Sequence, residues 1–303
     1  MNSRILVSGV SGPIGTALLP ALRAGGWSVV RLVRGSAAGA GQVAWDPAGA
    51  IAPEAVSGFD AVIHLAGESI VGRWSAAKKA KIRESRVVGT LNLASALARA
   101  EAKPRVFICG SAIGYYGDRG DEVLREESAP GTGFLAEVCR EWEEASVPAA
   151  QAGIRTANIR TGIVLSPKGG ALGAMLTPFK MGLGGRTGDG RQWMSWIDVS
   201  DMVGGILHIL KNDSLRGAVN MVAPLPVRNA EFASTLAGVL SRPAIFPMPG
   251  FVVRGLFGEM GEELLLGSQR VEAGKLISSG YSFRFGELRE SLEGLLGQSG
   301  NPS

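Results

Sequence analysis

RILVSGVSGPIG, residues 4–15, joins an apolar, β-branched run to a helical pattern through three glycines. RILVSG (4–9) has the make-up of a buried strand, and PIGTALLPALRAGG (13–26) spaces its apolar residues at helical intervals before closing on glycines. Pro13 suits a first helical turn, whereas Pro20 predicts a bend or interruption. Gly9, Gly12 and Gly15 form G-x-x-G-x-x-G between the two elements. Such a turn lets backbone approach a pyrophosphate and aims the free N–H groups of a helix N-terminus at it. The expected phosphate-binding set is Gly9, Ser11, Gly12, Pro13, Ile14 and Gly15; an ordinary tight strand–helix turn is the alternative.

The alternation continues along the chain. WSVVRLVR (27–34), FDAVIHLAG (59–67), RVFICGSA (105–112), IRTANIR (154–160) and GAVNMVAP (217–224) read as strands. Residues 75–100, 134–152 and 229–240 read as helices, the last with Asn229 as N-cap. Strands alternating with helices imply an α/β fold, a Rossmann-type doubly wound parallel sheet with right-handed crossovers. After about Gly162 the pattern changes. Residues 166–193 are Gly-rich but keep Met, Leu and Phe, which predicts a loop-rich segment with one helix. The tail reads as short helices and a strand over GYSFRF (280–285). We divide the chain into a dinucleotide-binding core, residues 1–165, and a smaller C-terminal substrate lobe, residues 166–303, interleaved with that core.

Composition fits this picture. Of 303 residues, 46% are hydrophobic and 19% charged, as in a folded, core-rich protein. A net charge of +4 is too mild to argue for a nucleic-acid partner. No apolar run approaches the roughly 18 residues of a membrane span. Two cysteines, Cys109 and Cys139, argue against a disulfide framework, and two histidines, His64 and His208, show no metal-ligand spacing. A soluble cytoplasmic protein without a metal is expected, with an oligomer possible.

The second strand should end beside the adenosine ribose. An acid there would accept from the 2′-hydroxyl, whereas an arginine suits a 2′-phosphate. SVVRLVRGS (28–36) holds no acid and ends its strand on Arg34, so NADP is the expected cofactor; a solvated surface arginine is the alternative.

Together with the glycine turn, HLAGESI, RWSAAKKAKIRESRVVGT, GSAIGYYG, FLAEVCREWE, RTGIVLSPKGGALGAMLTPFKMGLGG and SWIDVSDM resemble an atypical branch of the extended short-chain dehydrogenases/reductases, the NAD-dependent epimerase/dehydratase-like group. The resemblance spans almost the whole chain. It implies a Rossmann core with a small substrate lobe, and NADP as ligand. It also implies that Leu65, Ala66, Gly67 and Glu68 lie under the adenosine–pyrophosphate side, with Arg86 facing the cofactor from the long helix. Arg86 stands where typical extended members carry asparagine, and shares a helical face with Lys79 and Arg83. The resemblance further implies that Gly110 and Ser111 end a strand at the site, with Ser111 bonding a substrate oxygen, and that Gly162 and Val164 lie along the nicotinamide.

One feature of that family is missing. Its chemistry uses a tyrosine acid/base whose pKa is lowered by a lysine four residues later. No Tyr-x-x-x-Lys occurs in this chain. Phe134 and Val138 occupy the expected places, and Tyr115 and Tyr116, just beyond Ser111, are the replacement candidates. Glu137 and Glu141, and Lys168, Arg186, Gln192, Trp193 and Trp196, are further candidates for cleft or pocket. Two functions follow: an NADP(H)-dependent oxidoreductase or epimerase acting on a small carbonyl or sugar-like substrate with an unusual proton donor, or a non-catalytic NADP(H)-binding sensor or scaffold.

Overall fold

A computed structural model describes residues 3–36 and 39–297. Seven strands form one parallel sheet: β1 (Arg4–Ser8), β2 (Ser28–Arg34), β3 (Gln42–Trp45), β4 (Ala61–His64), β5 (Val106–Ala112), β6 (Arg155–Thr161) and β7 (Gly217–Met221), in the spatial order β7-β6-β5-β4-β1-β2-β3. Both faces are covered, so successive strand residues feed different cores. Ile5, Val7, Ile63 and Ile108 pack on one side; Leu6, Val62 and Phe107 pack on the other. Helices α1 (Pro13–Ala24) and α4 (Val199–Lys211) cover the first face through Leu18, Leu22, Met202 and Ile206. Helices α2 (Ala76–Arg99) and α3 (Phe134–Glu144) cover the second through Leu93, Leu97 and Trp142.

The sheet takes its last strand and one covering helix from beyond residue 165. The remaining C-terminal residues build a smaller core around Leu172, Phe179, Trp196, Phe232, Leu236 and Leu292. Among the described residues, no helix is long and apolar enough to cross a membrane, and no cluster of His, Cys, Asp or Glu could hold a metal ion.

Several local expectations are corrected. α1 runs through Pro20, which sits on its exposed side, where water can take the freed carbonyl. The 134–152 helix is two helices, 134–144 and 147–151, the second opening around Pro148. Arg228, not Asn229, is the N-cap; the Asn229 Oδ1 instead accepts from the Thr187 N–H at 2.7 Å. GYSFRF is not a strand. The buried Asp201 carboxylate accepts from the Arg284 and Phe285 N–H groups at 2.8 and 2.9 Å, taking the place of a ladder.

Candidate functional site

Strand order reverses between β1 and β4, and the turns leaving these two strands face each other. Ligands of open α/β sheets bind at such a point. Gly9 has φ +71°, and a Cβ there would lie 2.5 Å from the Leu65 carbonyl carbon. A Cβ on Gly15 would lie 2.4 Å from the Gly9 oxygen. Both positions therefore exclude any side chain. Gly12 is less crowded, its nearest neighbour being 3.6 Å from a Cβ, so its bareness keeps the front of the turn open. No side chain caps α1, and Pro13 has no N–H, which leaves the first-turn amides of Ile14 and Gly15 to an anion. This cradle fits a pyrophosphate.

Beneath it lies a pair that sequence reasoning missed. The Ser8 hydroxyl accepts from the Leu65 and Ala66 N–H groups at 3.2 and 3.4 Å. It therefore gives its own proton to the His64 Nδ1, 2.7 Å away. His64 is fully buried, with its ring proton on Nε2, the ring set edge-on to Trp45, and burial pulls its pKa down to about 4. A lone histidine ending an apolar strand was the available signal.

Arg34 is exposed at the end of β2 and, with Gly35, Ala44, Trp45, Asp46 and Pro47, lines an open hollow. Glu68 lies one turn of α2 away from it: Ser85, which holds its N–H, comes four residues before Gly89, against which Trp45 and Pro47 pack. Its backbone is fixed from α2: its N–H donates to the Ser85 Oγ at 2.9 Å, and its carbonyl accepts from Arg86 at 2.9 Å. Lys78 pairs with its carboxylate at 2.7 Å and, with Lys81 and Arg34 nearby, holds that carboxyl below its usual range. Arg86 also stacks on Trp142 and lies 3.2 Å from where a Gly67 Cβ would stand. Lys79 and Arg83 are ion-paired instead, Lys79 with Glu259 and Arg83 with Glu137 and Glu141.

At the ends of β5, β6 and β7, register aligns Ser111, Arg160 and Asn220 in one row. The Ser111 hydroxyl donates to the Glu143 Oε1 at 2.7 Å. Glu143 is gripped by both ends of the Arg160 fork, at 2.8 and 2.9 Å. Arg160 also donates to the Tyr116 hydroxyl at 2.9 Å, which in turn donates to the Asn220 Oδ1 at 2.7 Å. Tyr116 has no exposed surface, and burial pushes its pKa up to about 12 against the opposing pull of Arg160. As a proton donor to substrate, Tyr116 is therefore ruled out by position, and Ser111 is committed to an internal carboxylate. Tyr115 is different. Its half-buried ring lies 3.5 Å below the Arg160 guanidinium, and its hydroxyl has no partner among the described residues.

On the helix that should carry the proton relay, the expected pair is apolar and packed among apolar side chains. Phe134 and Val138 point into an apolar cluster with Trp74, Ile82 and Met260. The four-apart pair beside the strand end is Leu135 and Cys139. A Gly114 Cβ would meet the Leu135 Cβ at 3.3 Å and the Cys139 Sγ at 3.8 Å. Cys139 is buried, and desolvation pushes its thiol up to about 12.

At Gly110 the Trp142 ring lies 2.8 Å from where a Cβ would be, so the bare position admits the indole. Gly162 likewise admits the Ser195 carbonyl at 2.6 Å, while Val164 pairs with Ile197. Gly169, next to the exposed Lys168, abuts Pro13. Trp196 is a core residue whose Nε1 donates to the Leu225 carbonyl. The Gln192 amide is spent on the Thr187 and Leu265 carbonyls. Trp193 lies under Arg228 and Arg270, and Arg186 is exposed, so these five do not form one pocket.

Residues 5–221 match the model of the NAD dependent epimerase/dehydratase family, and residues 248–295 match a domain of unknown function, DUF1731. The chain belongs to this epimerase family. An epimerase family protein of Mycobacterium tuberculosis, MT2273, is 41% identical over 96% of this chain and 97% of its own. The crystal structure of human epimerase family protein SDR39U1 with NADPH superposes with a TM-score of 0.89 at 34% identity, covering 96% and 98% of the two chains. A nucleoside-diphosphate sugar epimerase of Corynebacterium glutamicum gives 0.82 at 37% identity, covering 98% of this chain and 59% of that one. In this member of the epimerase family the glycine cradle is bare of side chains, and the strand-end polar groups are bonded to one another.

Proposed function

We propose that this chain binds NADP(H) and lacks the family's usual proton-coupled hydride transfer. Binding is supported by the side-chain-free cradle at Gly9 and Gly15, the uncapped start of α1, and Arg34 with no acid on its strand. The human relative solved with NADPH agrees. One observation carries the second half. Phe134 and Val138, where a tyrosine and lysine are expected, sit in an apolar cluster, the neighbouring pair Leu135 and Cys139 is equally unable to replace them, and Ser111 and Tyr116 are consumed by the Glu143–Arg160 pair. A bound nicotinamide would supply a hydride, but these groups offer no proton to accompany it. Proton transfer by a positioned group contributes about 10²–10⁴-fold, so its loss is visible in a rate.

A second reading keeps turnover: an oxidoreductase or epimerase for a small carbonyl or sugar-like substrate in which Tyr115 is the acid. The free hydroxyl of Tyr115 favours it. Calorimetry with NADPH and NADH, followed by single-turnover absorbance of bound NADPH against carbonyl compounds and nucleotide sugars, separates the two. Tight NADPH binding without oxidation is expected. Oxidation by wild type that disappears in Tyr115→Phe would establish the second reading, and absence of NADPH binding would refute both.

A further inference from the structure

Beside the hollow that receives the adenosine end lies a second acid, Glu68, close enough to Arg34 for their charges to interact. Glu68 is not a mobile surface residue: its N–H and its carbonyl are both held by α2, through Ser85 and Arg86. Its side chain is two-thirds buried, and the Lys78 contact holds the carboxylate in place. An unpaired carboxylate here would do two things. It would draw Arg34 into an ion pair, and it would repel a phosphate, which carries up to two negative charges near neutral pH. Both effects favour a cofactor whose ribose ends in a hydroxyl, because a carboxylate accepts from hydroxyls.

Lys78 prevents this. It rises from the first turn of α2, just after the Ser75 N-cap, and contacts the Glu68 Oε1 at 2.7 Å with only about a fifth of its side chain exposed. Lys81, one turn further on, is exposed and stands on the same side of the carboxylate. Asp46, the acid that lines the hollow itself, is turned toward its own loop, where its Oδ1 accepts from the Ala48 N–H at 3.0 Å. The balance around the hollow is therefore cationic only while Lys78 is present.

We propose that the Glu68–Lys78 ion pair is the selectivity element of the adenosine end: Lys78 occupies Glu68 so that Arg34 remains free for a 2′-phosphate. This rests on the NADP(H) reading above and adds a residue on a different element from the arginine that contacts the phosphate. Lys78 is a positioning residue, acting through Glu68.

The test measures dissociation constants for NADPH and NADH by quenching of protein fluorescence in wild type, Lys78→Ala, Glu68→Gln and the double variant. Partly exposed charges interact modestly, so Lys78→Ala is expected to lower the NADPH-over-NADH preference by about five- to tenfold. Removing the released acid as well, in Glu68→Gln/Lys78→Ala, should restore the preference to within about twofold of wild type, a rescue that a merely structural pair would not give. A preference for NADPH that survives intact in Lys78→Ala would overturn the proposal alone. So would a double variant no better than Lys78→Ala. Wild type without a preference for NADPH would overturn the underlying reading, and this one with it.

Discussion

Removing one partner of the Glu143–Arg160 pair leaves a charge stranded where neither side chain reaches solvent freely. Glu143→Gln should therefore cost about 3–5 kcal/mol of stability, read as a lower denaturation midpoint. Arg34→Ala should weaken NADPH about tenfold or more while leaving NADH unchanged, because NADH has no group for that side chain; calorimetry giving equal losses would refute the role of Arg34. His64 links stability to pH. Its folded pKa, about 4, lies below the ordinary 6.5, so the neutral ring stabilises the fold fully above pH ~6.5. That contribution, up to about 3 kcal/mol, is lost as pH falls from 6.5 toward 4. Denaturation midpoints measured between pH ~7 and ~5 should fall in wild type and fall less in His64→Gln. Residue types announced some of this. Arg34 and the glycines were visible because short spacing places them, and Glu68 through the family resemblance. Glu143, Arg160 and Asn220 were not, because only sheet register brings residues so far apart in sequence beside Ser111.

At the level of elements, the helix pattern of α3 was legible and the neighbours of each of its faces were not. One residue along a helix turns its face by about 100°. Phe134 and Val138 lie one residue out of phase with Leu135 and Cys139, and apolar periodicity does not tell the two pairs apart, since all four are buried. The structure separates them by their neighbours, Trp74 and Met260 for one pair and Gly114 for the other. Phe134→Tyr/Val138→Lys should thus unfold at lower temperature and gain no activity, because it buries an ammonium in an apolar cluster. Leu135→Tyr/Cys139→Lys places the same chemistry beside the strand end. Oxidation of bound NADPH by this second pair and not the first is the expected outcome, and activity from the first pair would show that the Phe134–Val138 face is the one that meets the nicotinamide. The third strand, β3, escaped notice because QVAW is only four residues long and lies close to Gly and Pro residues that suggest a loop.

For the molecule as a whole, the C-terminal segment is bound to the core by chemistry as well as by packing. The Glu263 carboxylate accepts from the Phe134 and Leu135 N–H groups at 2.8 and 2.9 Å, capping α3 from another part of the chain. The Lys79–Glu259 pair and Met260 reinforce that contact. Glu263→Ala should speed hydrogen exchange at the first-turn amides of α3, with a stability loss of about 1–2 kcal/mol. Unchanged exchange there would mean that packing alone holds the segment.

The seventh strand has a consequence for how the chain comes off the ribosome. When residue 165 has emerged, β6 is complete but its outer edge has no neighbour; β7 arrives only with residues 217–221. For more than fifty residues of synthesis the nascent sheet therefore presents an open strand edge that the finished fold buries, the kind of surface that chaperones hold and that aggregates otherwise grow from.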